Sequence, residues 1–290
     1  MRTVRLSDGS EIPALGQGTW HLGERPERAA EERAALVAGL EAGSTLIDTA
    51  EMYGEGAAEE LVGRALADAA CAGIPREQVF LVSKVYPWNA GGARLRESCE
   101  ASLRRLGMDY LDLYLLHWPG DVPLEETVAG MEALRERGLI RRWGVSNFGV
   151  DHMRELWRVP GGRACAVNQV LYHVASRGVE FDLLPWMRSH GVAAMAYCPL
   201  AEAGALSGGI LDDPLLAEIA RAHGADVTPA QVLLAFVLRD STTVAIPKAA
   251  RAVHARENAV APGLVLTDAE LAALDDAWPA PSCAMPLDVV

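Results

Sequence analysis

An α/β chain folded as a (β/α)8 TIM barrel, with an N-terminal β-hairpin and extra helices before the last strand and at the C-terminus, is predicted from three observations. Short apolar runs alternate eight times with longer segments of helical periodicity. Runs such as Leu111–Leu116 are apolar enough to be covered on both faces, as parallel strands must be. No linker, charge block or low-complexity tract divides the chain, so one domain spanning residues 1–290 is expected.

The elements follow in order. Val4–Leu6 and Ile12–Leu15 flank Ser7-Asp8-Gly9-Ser10 and read as a hairpin with an Asp-Gly turn, which should cap something because a lone hairpin is barely stable. The eight strands are placed at Leu15–Thr19, Thr45–Thr49, Val79–Val85, Leu111–His117, Ile140–Ser146, Ala166–Leu171, Val192–Tyr197 and Thr243–Pro247. Helical spacing marks Pro26–Glu41, Ala57–Ala70, Leu95–Leu106, Leu124–Arg137 and Asp182–Ser189 between them. Two further helices, Pro214–Ala222 and Pro229–Leu238, precede the last strand, and Asp268–Trp278 follows it. An open doubly wound sheet ranks second, because the first strand-to-helix turn, Gly16-Gln17-Gly18-Thr19-Trp20-His21, lacks the third glycine of the dinucleotide fingerprint.

Composition removes several classes of function. A net charge of −13 without a basic stripe argues against nucleic acid as a partner. No apolar run approaches the roughly 18 residues of a membrane span, and no basic segment followed by an apolar run opens the chain, so a cytoplasmic protein with no membrane partner is expected. Five scattered cysteines without a C-x-x-C pair read as reduced thiols. The histidines never fall as H-x-H or H-x-x-x-H, so no metal is expected.

In a parallel barrel the informative polar residues are those at the carboxyl ends of strands. The second strand runs into Asp48 and Tyr53, the third ends on Lys84 and the fourth on His117, and the barrel would bring all four to one mouth. Singly, each has a structural reading: a helix cap, a half-buried loop aromatic, a solvated lysine, a histidine bonded to a carbonyl. Together they suit proton donation to a carbonyl oxygen. A phenol titrates near pH 10, about three units above neutrality, and an adjacent ammonium is expected to lower that value. Lys84 is the candidate ammonium, Asp48 would orient it, and His117 could position the carbonyl oxygen. None of the four is a source of hydride, so the electrons must come from a cofactor.

The motifs Gly18-Thr19-Trp20, Leu46-Ile47-Asp48-Thr49-Ala50-Glu51-Met52-Tyr53-Gly54, Asp109 to Trp118, Gly144-Val145-Ser146-Asn147-Phe148, Asn168-Gln169 and Ala245-Ile246-Pro247-Lys248 carry a resemblance to the aldo-keto reductases over nearly the whole chain. The pattern is similar to the short bacterial, methylglyoxal-reductase-like branch, and natural-product tailoring reductases carry similar motifs. The resemblance implies NADP(H)-dependent reduction of small aldehydes or ketones, with Asp48, Tyr53, Lys84 and His117 as the catalytic tetrad and Tyr53 as proton donor. It assigns Ser146, Asn147 and Gln169 to the nicotinamide carboxamide, Tyr197 to the nicotinamide ring and Pro199 with Leu200 to the pyrophosphate. Gly18, Thr19, Trp20 and Asp48 also fall at the cofactor. Amides match an amide in donors and acceptors, and an aromatic face suits a planar ring.

Lys248 resembles the lysine that holds the adenosine 2'-phosphate, and Glu257 with Asn258 resembles the adenine contacts. Two positions depart from the pattern. Ala249 stands where a hydroxyl residue is common and His254 where many relatives place arginine, so NADP(H) is preferred, NAD(H) is admitted, and the preference should strengthen as His254 gains charge below neutrality. Trp20, Tyr86, Trp88 and Trp118, with Tyr53 and His117, would wall the substrate pocket. Few residues follow the final helix, so no long loop is expected to close this pocket, which should be open and broad. A small-molecule carbonyl substrate and a monomer are expected. The alternative of another class is a nicotinamide-binding regulatory subunit of the same fold with little turnover.

Overall fold

The hairpin β1 (Thr3–Arg5) and β2 (Glu11–Pro13) precedes eight strands, each of which takes its neighbour in the chain as its parallel neighbour in space. These are β3 (Gly16–Gly18), β4 (Leu46–Asp48), β5 (Phe80–Val85), β6 (Leu111–Leu116), β7 (Ile140–Ser146), β8 (Val167–Leu171), β9 (Ala193–Tyr197) and β10 (Thr243–Ala245). This structure is a computed structural model, and it describes residues 2–201 and 209–290. Parallel bridges Leu15 to Ala245 and Gly18 to Lys248 join the first strand to the last, so the sheet curls into a barrel. Gly18 is required at that seam, because a Cβ there would lie 2.8 Å from the Ile246 carbonyl oxygen. The anticipated (β/α)8 architecture is therefore the one observed.

Ten helices surround the described strands: α1 (Ala29–Glu41), α2 (Ala57–Cys71), α3 (Gly92–Leu106), α4 (Leu124–Glu136), α5 (Val150–Leu156), α6 (Leu183–His190), α7 (Pro214–His223), α8 (Pro229–Val237), α9 (Ala252–Ala259) and α10 (Asp268–Ala277). Their ends follow local chemistry. Gly107 and Gly191 adopt left-handed backbone after α3 and α6, and Thr228–Gln231 and Thr267–Glu270 form capping boxes at the starts of α8 and α10. The helices α5 and α9 were not marked by periodicity. The first is only seven residues long, and the second buries little beyond Ala255 and Asn258, so neither repeats an apolar stripe long enough to read.

The hairpin seals the amino-terminal face. Val4, Leu6 and Ile12 are buried, and Asp8 in its turn accepts a 2.8 Å bond from Arg142 near the start of β7. Residues of β4 to β10, with Leu15 just before β3, and of the helices facing them form one continuous apolar core. With one end of the barrel plugged, ligand access is left to the end where the strands terminate at Asp48, Val85, Leu116, Ser146, Leu171 and Tyr197.

Candidate active site

Lys84, fully buried on β5, is the hub of the carboxyl-end mouth. Its ammonium donates to Asp48 Oδ2 at 2.7 Å, to the Thr49 carbonyl at 3.0 Å and to the Tyr53 hydroxyl oxygen at 3.0 Å. All three of its protons are thereby used. Because Lys84 donates to the Tyr53 oxygen, the phenolic hydrogen has to point elsewhere. Tyr53 reaches this place from a turn in which Gly54, Glu55 and Gly56 are successively left-handed, folding the chain back over the mouth before α2 begins. A fully buried Glu59 on the first turn of α2 binds Ser83 at 2.5 Å and Arg105 at 2.6 Å, which holds α2 against β5 beside Lys84.

Asp48 links this hub to a second group. Its other oxygen accepts from Gln169 Nε2 at 2.8 Å, and the side-chain Oε1 of Gln169 has no hydrogen-bond partner among the described residues. Asn147, left-handed at φ 59°, receives the Tyr197 hydroxyl proton at 2.9 Å, and its own backbone N–H bonds the Gln169 carbonyl at 2.8 Å. The register that pairs Ser146 with Gln169 and Leu171 with Tyr197 carries these side chains to the same rim.

A cavity of about 350 Å³ runs through both groups. Asp48, Tyr53, His117, Trp118 and Trp20 line it, as do Gly18 and Thr19. So do Ser146, Asn147, Gln169 and Tyr197 on one wall and Lys248 at the far end, an exposed cation with no ion pair among the described residues. The remaining positions singled out above fall elsewhere. Tyr86 and Trp88 stack on each other at 4.4 Å between centroids and do not line this cavity, Trp88 is 55% exposed, and both rings contact Trp118 in its wall. Pro199 and Leu200 are buried beside it. On α9, His254 gives its Nδ1 to Glu257 at 3.0 Å and Asn258 is buried, so none of the three enters the cavity. Lys248 is thus the cation lining the cavity, and His254 pairs with Glu257 at the surface of α9.

Sequence reading passed over His21, Met52, Cys198, Ile246 and Val290, which complete the wall. Cys198 could have been found as the neighbour of Tyr197 at a strand end. Val290 offered no signal. The carboxy-terminal residues reach this wall: Asp288 accepts a 2.8 Å bond from Ser176, and Val290 lines the cavity.

Electrostatics correct one expectation. Burial raises the Tyr53 hydroxyl well above its ordinary range, and the Asp48 anion adds to the effect. The Lys84 charge is shared with Asp48 at 2.7 Å, so its pull on the phenol is outweighed by burial and the Asp48 anion, and the net position of Tyr53 is raised where the sequence suggested a fall. Tyr53 is a protonated phenol at neutral pH. His117 is neutral as well, because burial, with the Lys84 charge second, pushes it down to about 2. Its Nδ1 is buried without a hydrogen-bond partner among the described residues.

The depressed His117 has a measurable consequence. Unfolded chains take up this proton near pH 6.5 while the folded protein refuses it, so acid favours the unfolded state and stability falls by about 2 kcal/mol as pH drops to about 5. His117→Gln should flatten the dependence of Tm on pH over that interval. Parallel curves for the two proteins would remove His117 as the cause.

Residues 14–279 match the profile of the Aldo/keto reductase family. The chain belongs to this family. It is similar to the methylglyoxal reductase YeaE of Escherichia coli strain K12, 54% identical over 289 residues that cover 100% of this chain and 99% of that protein. It is also similar to the methylglyoxal reductase DkgA of Salmonella typhimurium, at 36% identity over 88% of this chain and 86% of the other. Among solved structures, an aldo/keto reductase from Klebsiella pneumoniae in complex with NADP and acetate superposes with a TM-score of 0.94 at 51% identity, covering 100% of this chain and 99% of the other. The chain is accordingly an aldo-keto reductase. Among its described residues, no helix is long and apolar enough to cross a membrane.

Proposed function

We propose that this aldo-keto reductase acts as a single barrel domain in the cytoplasm and reduces small aldehydes and ketones, 2-oxoaldehydes of the methylglyoxal type among them, with NADP(H). The observation that carries the reading is the Lys84 hub, which presents a protonated Tyr53 to a cavity whose opposite wall is built of amides and an aromatic ring. The methylglyoxal reductases among its relatives and the NADP-bound neighbour support the substrate class and the cofactor. The residues present fit that cofactor. The side-chain Oε1 of Gln169, with Ser146 and Asn147, matches a carboxamide, the Tyr197 ring offers a face to nicotinamide, and Lys248 supplies a cation for the 2'-phosphate. When bound, the cofactor supplies hydride to the carbonyl carbon.

The chain's own residues handle the proton. Lys84 holds the Tyr53 oxygen from behind at 3.0 Å, so the phenolic hydrogen is directed to a carbonyl oxygen in the cavity. The carbonyl oxygen becomes alkoxide-like as hydride arrives, more basic than phenolate, and takes this proton despite the raised affinity of Tyr53 for it. The ammonium then faces the phenolate that remains. Neutral His117, with no partner to satisfy it among the described residues, donates to the same carbonyl oxygen and fixes its direction. Trp20 and Trp118 supply apolar wall.

NADPH consumption with a panel of aldehydes, ketones and 2-oxoaldehydes tests the reading. Turnover with methylglyoxal and a preference for NADPH over NADH are expected. Tight NADPH binding with no turnover on any member of the panel would instead favour a regulatory subunit of the same fold.

A further inference from the structure

The carboxy-terminal segment reaches a side chain on the cofactor wall of the cavity. Gly178 lies under it, since a Cβ there would meet Met285 Cβ at 3.3 Å, and Leu287 packs on the barrel core. Ser176, on the loop that leaves β8, donates to Asp288 Oδ2 at 2.8 Å. Two residues on, Val290 lines the cavity beside Tyr197, and its backbone N–H faces the Tyr197 hydroxyl. That hydroxyl donates to Asn147 Oδ1 at 2.9 Å, and Asn147 bonds the Gln169 carbonyl through its own amide at 2.8 Å. A continuous set of contacts therefore joins residues 285–290 to both groups assigned above to the nicotinamide.

We propose that residues 285–290 are a clasp that positions Tyr197 and Asn147 against the nicotinamide end of the cofactor, so that this segment sets how tightly NADPH is held. The inference rests on the nicotinamide reading of Tyr197. Asp288 and Val290 are positioning residues: they act through the Tyr197 ring and the Ser176 loop. A clasp attached at Ser176 and Tyr197 constrains the rotation of the ring about its stem, and a ring already oriented gives up less freedom when a planar ligand stacks on it.

The test compares the wild type with Ser176→Ala, Asp288→Ala and a protein lacking residues 286–290, using fluorescence titration with two probes. One is NADPH. The other is 2'-phospho-ADP-ribose, which keeps the phosphates and adenosine but has no nicotinamide. Each variant should bind NADPH about five- to tenfold more weakly, the scale of one lost hydrogen bond, and release it faster in stopped flow, while affinity for 2'-phospho-ADP-ribose stays within about twofold. Tyr197→Phe, which keeps the ring but loses the hydroxyl contacts, should reproduce the effect. The point substitutions keep the test open where the shortened chain fails to fold. Unchanged NADPH affinity with a raised KM only for bulky carbonyl substrates would overturn the clasp and leave a substrate wall in its place. Equal weakening for both probes would overturn it as well, because the damage would then be general. Tyr197→Ala separates the premise from the inference: if that change too leaves NADPH binding intact, the nicotinamide assignment itself falls.

Discussion

Tyr53→Phe is expected to lower kcat for carbonyl reduction by about 10²–10⁴-fold, the range for loss of a positioned general acid. NADPH affinity should stay within about twofold of wild type, because the ring, its packing against Ala50 and Ala58 and the amide wall across the cavity all remain. The loss should fall on kcat and kcat/KM together, since the interaction removed is made only as charge develops on the carbonyl oxygen. Lys84 donates a 3.0 Å bond to the hydroxyl that is deleted, so the variant also leaves one ammonium proton without its partner, and a modest drop in Tm accompanies the kinetic change. Retention of more than about a tenth of wild-type turnover would show that another group delivers the proton. Steady-state rates with methylglyoxal, alongside a binding titration with NADPH, separate the outcomes.

Lys84→Met should be damaging twice over. Turnover is expected to drop by about 10²–10³-fold, because the phenolate left after proton transfer would face a thioether instead of an ammonium. Stability should fall by about 3–5 kcal/mol, the cost of breaking a buried ion pair and leaving one charge uncompensated. Asp48, only 2% exposed, is that charge. The two effects can be divided with Lys84→Met combined with Asp48→Asn, which removes the orphaned charge: part of the stability should return while activity does not. Thermal unfolding and initial rates on the single and double variants check this. A Lys84→Met protein with wild-type turnover would contradict the hub reading entirely.

The order of strands and helices was legible because periodicity and Gly/Pro punctuation are local properties of the chain. The convergence of Asp48, Tyr53, Lys84 and His117 was legible for a related reason: eight parallel units put every strand end on one face, so position in a strand translates into position in space. Residues close to strand ends therefore fell where the sequence placed them, with Ser146, Asn147, Gln169, Tyr197 and Lys248 on one cavity. What periodicity could not carry were features set by contacts between distant segments. Tyr86 and Trp88 follow a strand end closely and stack on each other beside Trp118, and His254 pairs with Glu257 one helical turn away, contacts that periodicity does not show.

By itself, the sequence determined the barrel, the face that holds the site and the residue types that meet there, since these depend on alternation and on the chemistry of single side chains. Only the tertiary structure decided the protonation of those side chains and the placing of the carboxy-terminal residues at the mouth. Whether an ammonium lowers a phenol depends on what else the ammonium touches and on how much water remains around both, and burial with Asp48 tips Tyr53 toward the neutral form. Where a short carboxy-terminal segment comes to lie depends on where it is tied. Here Ser176, 112 positions earlier, ties Asp288 down and brings Val290 to Tyr197, a meeting that no pattern within either segment encodes.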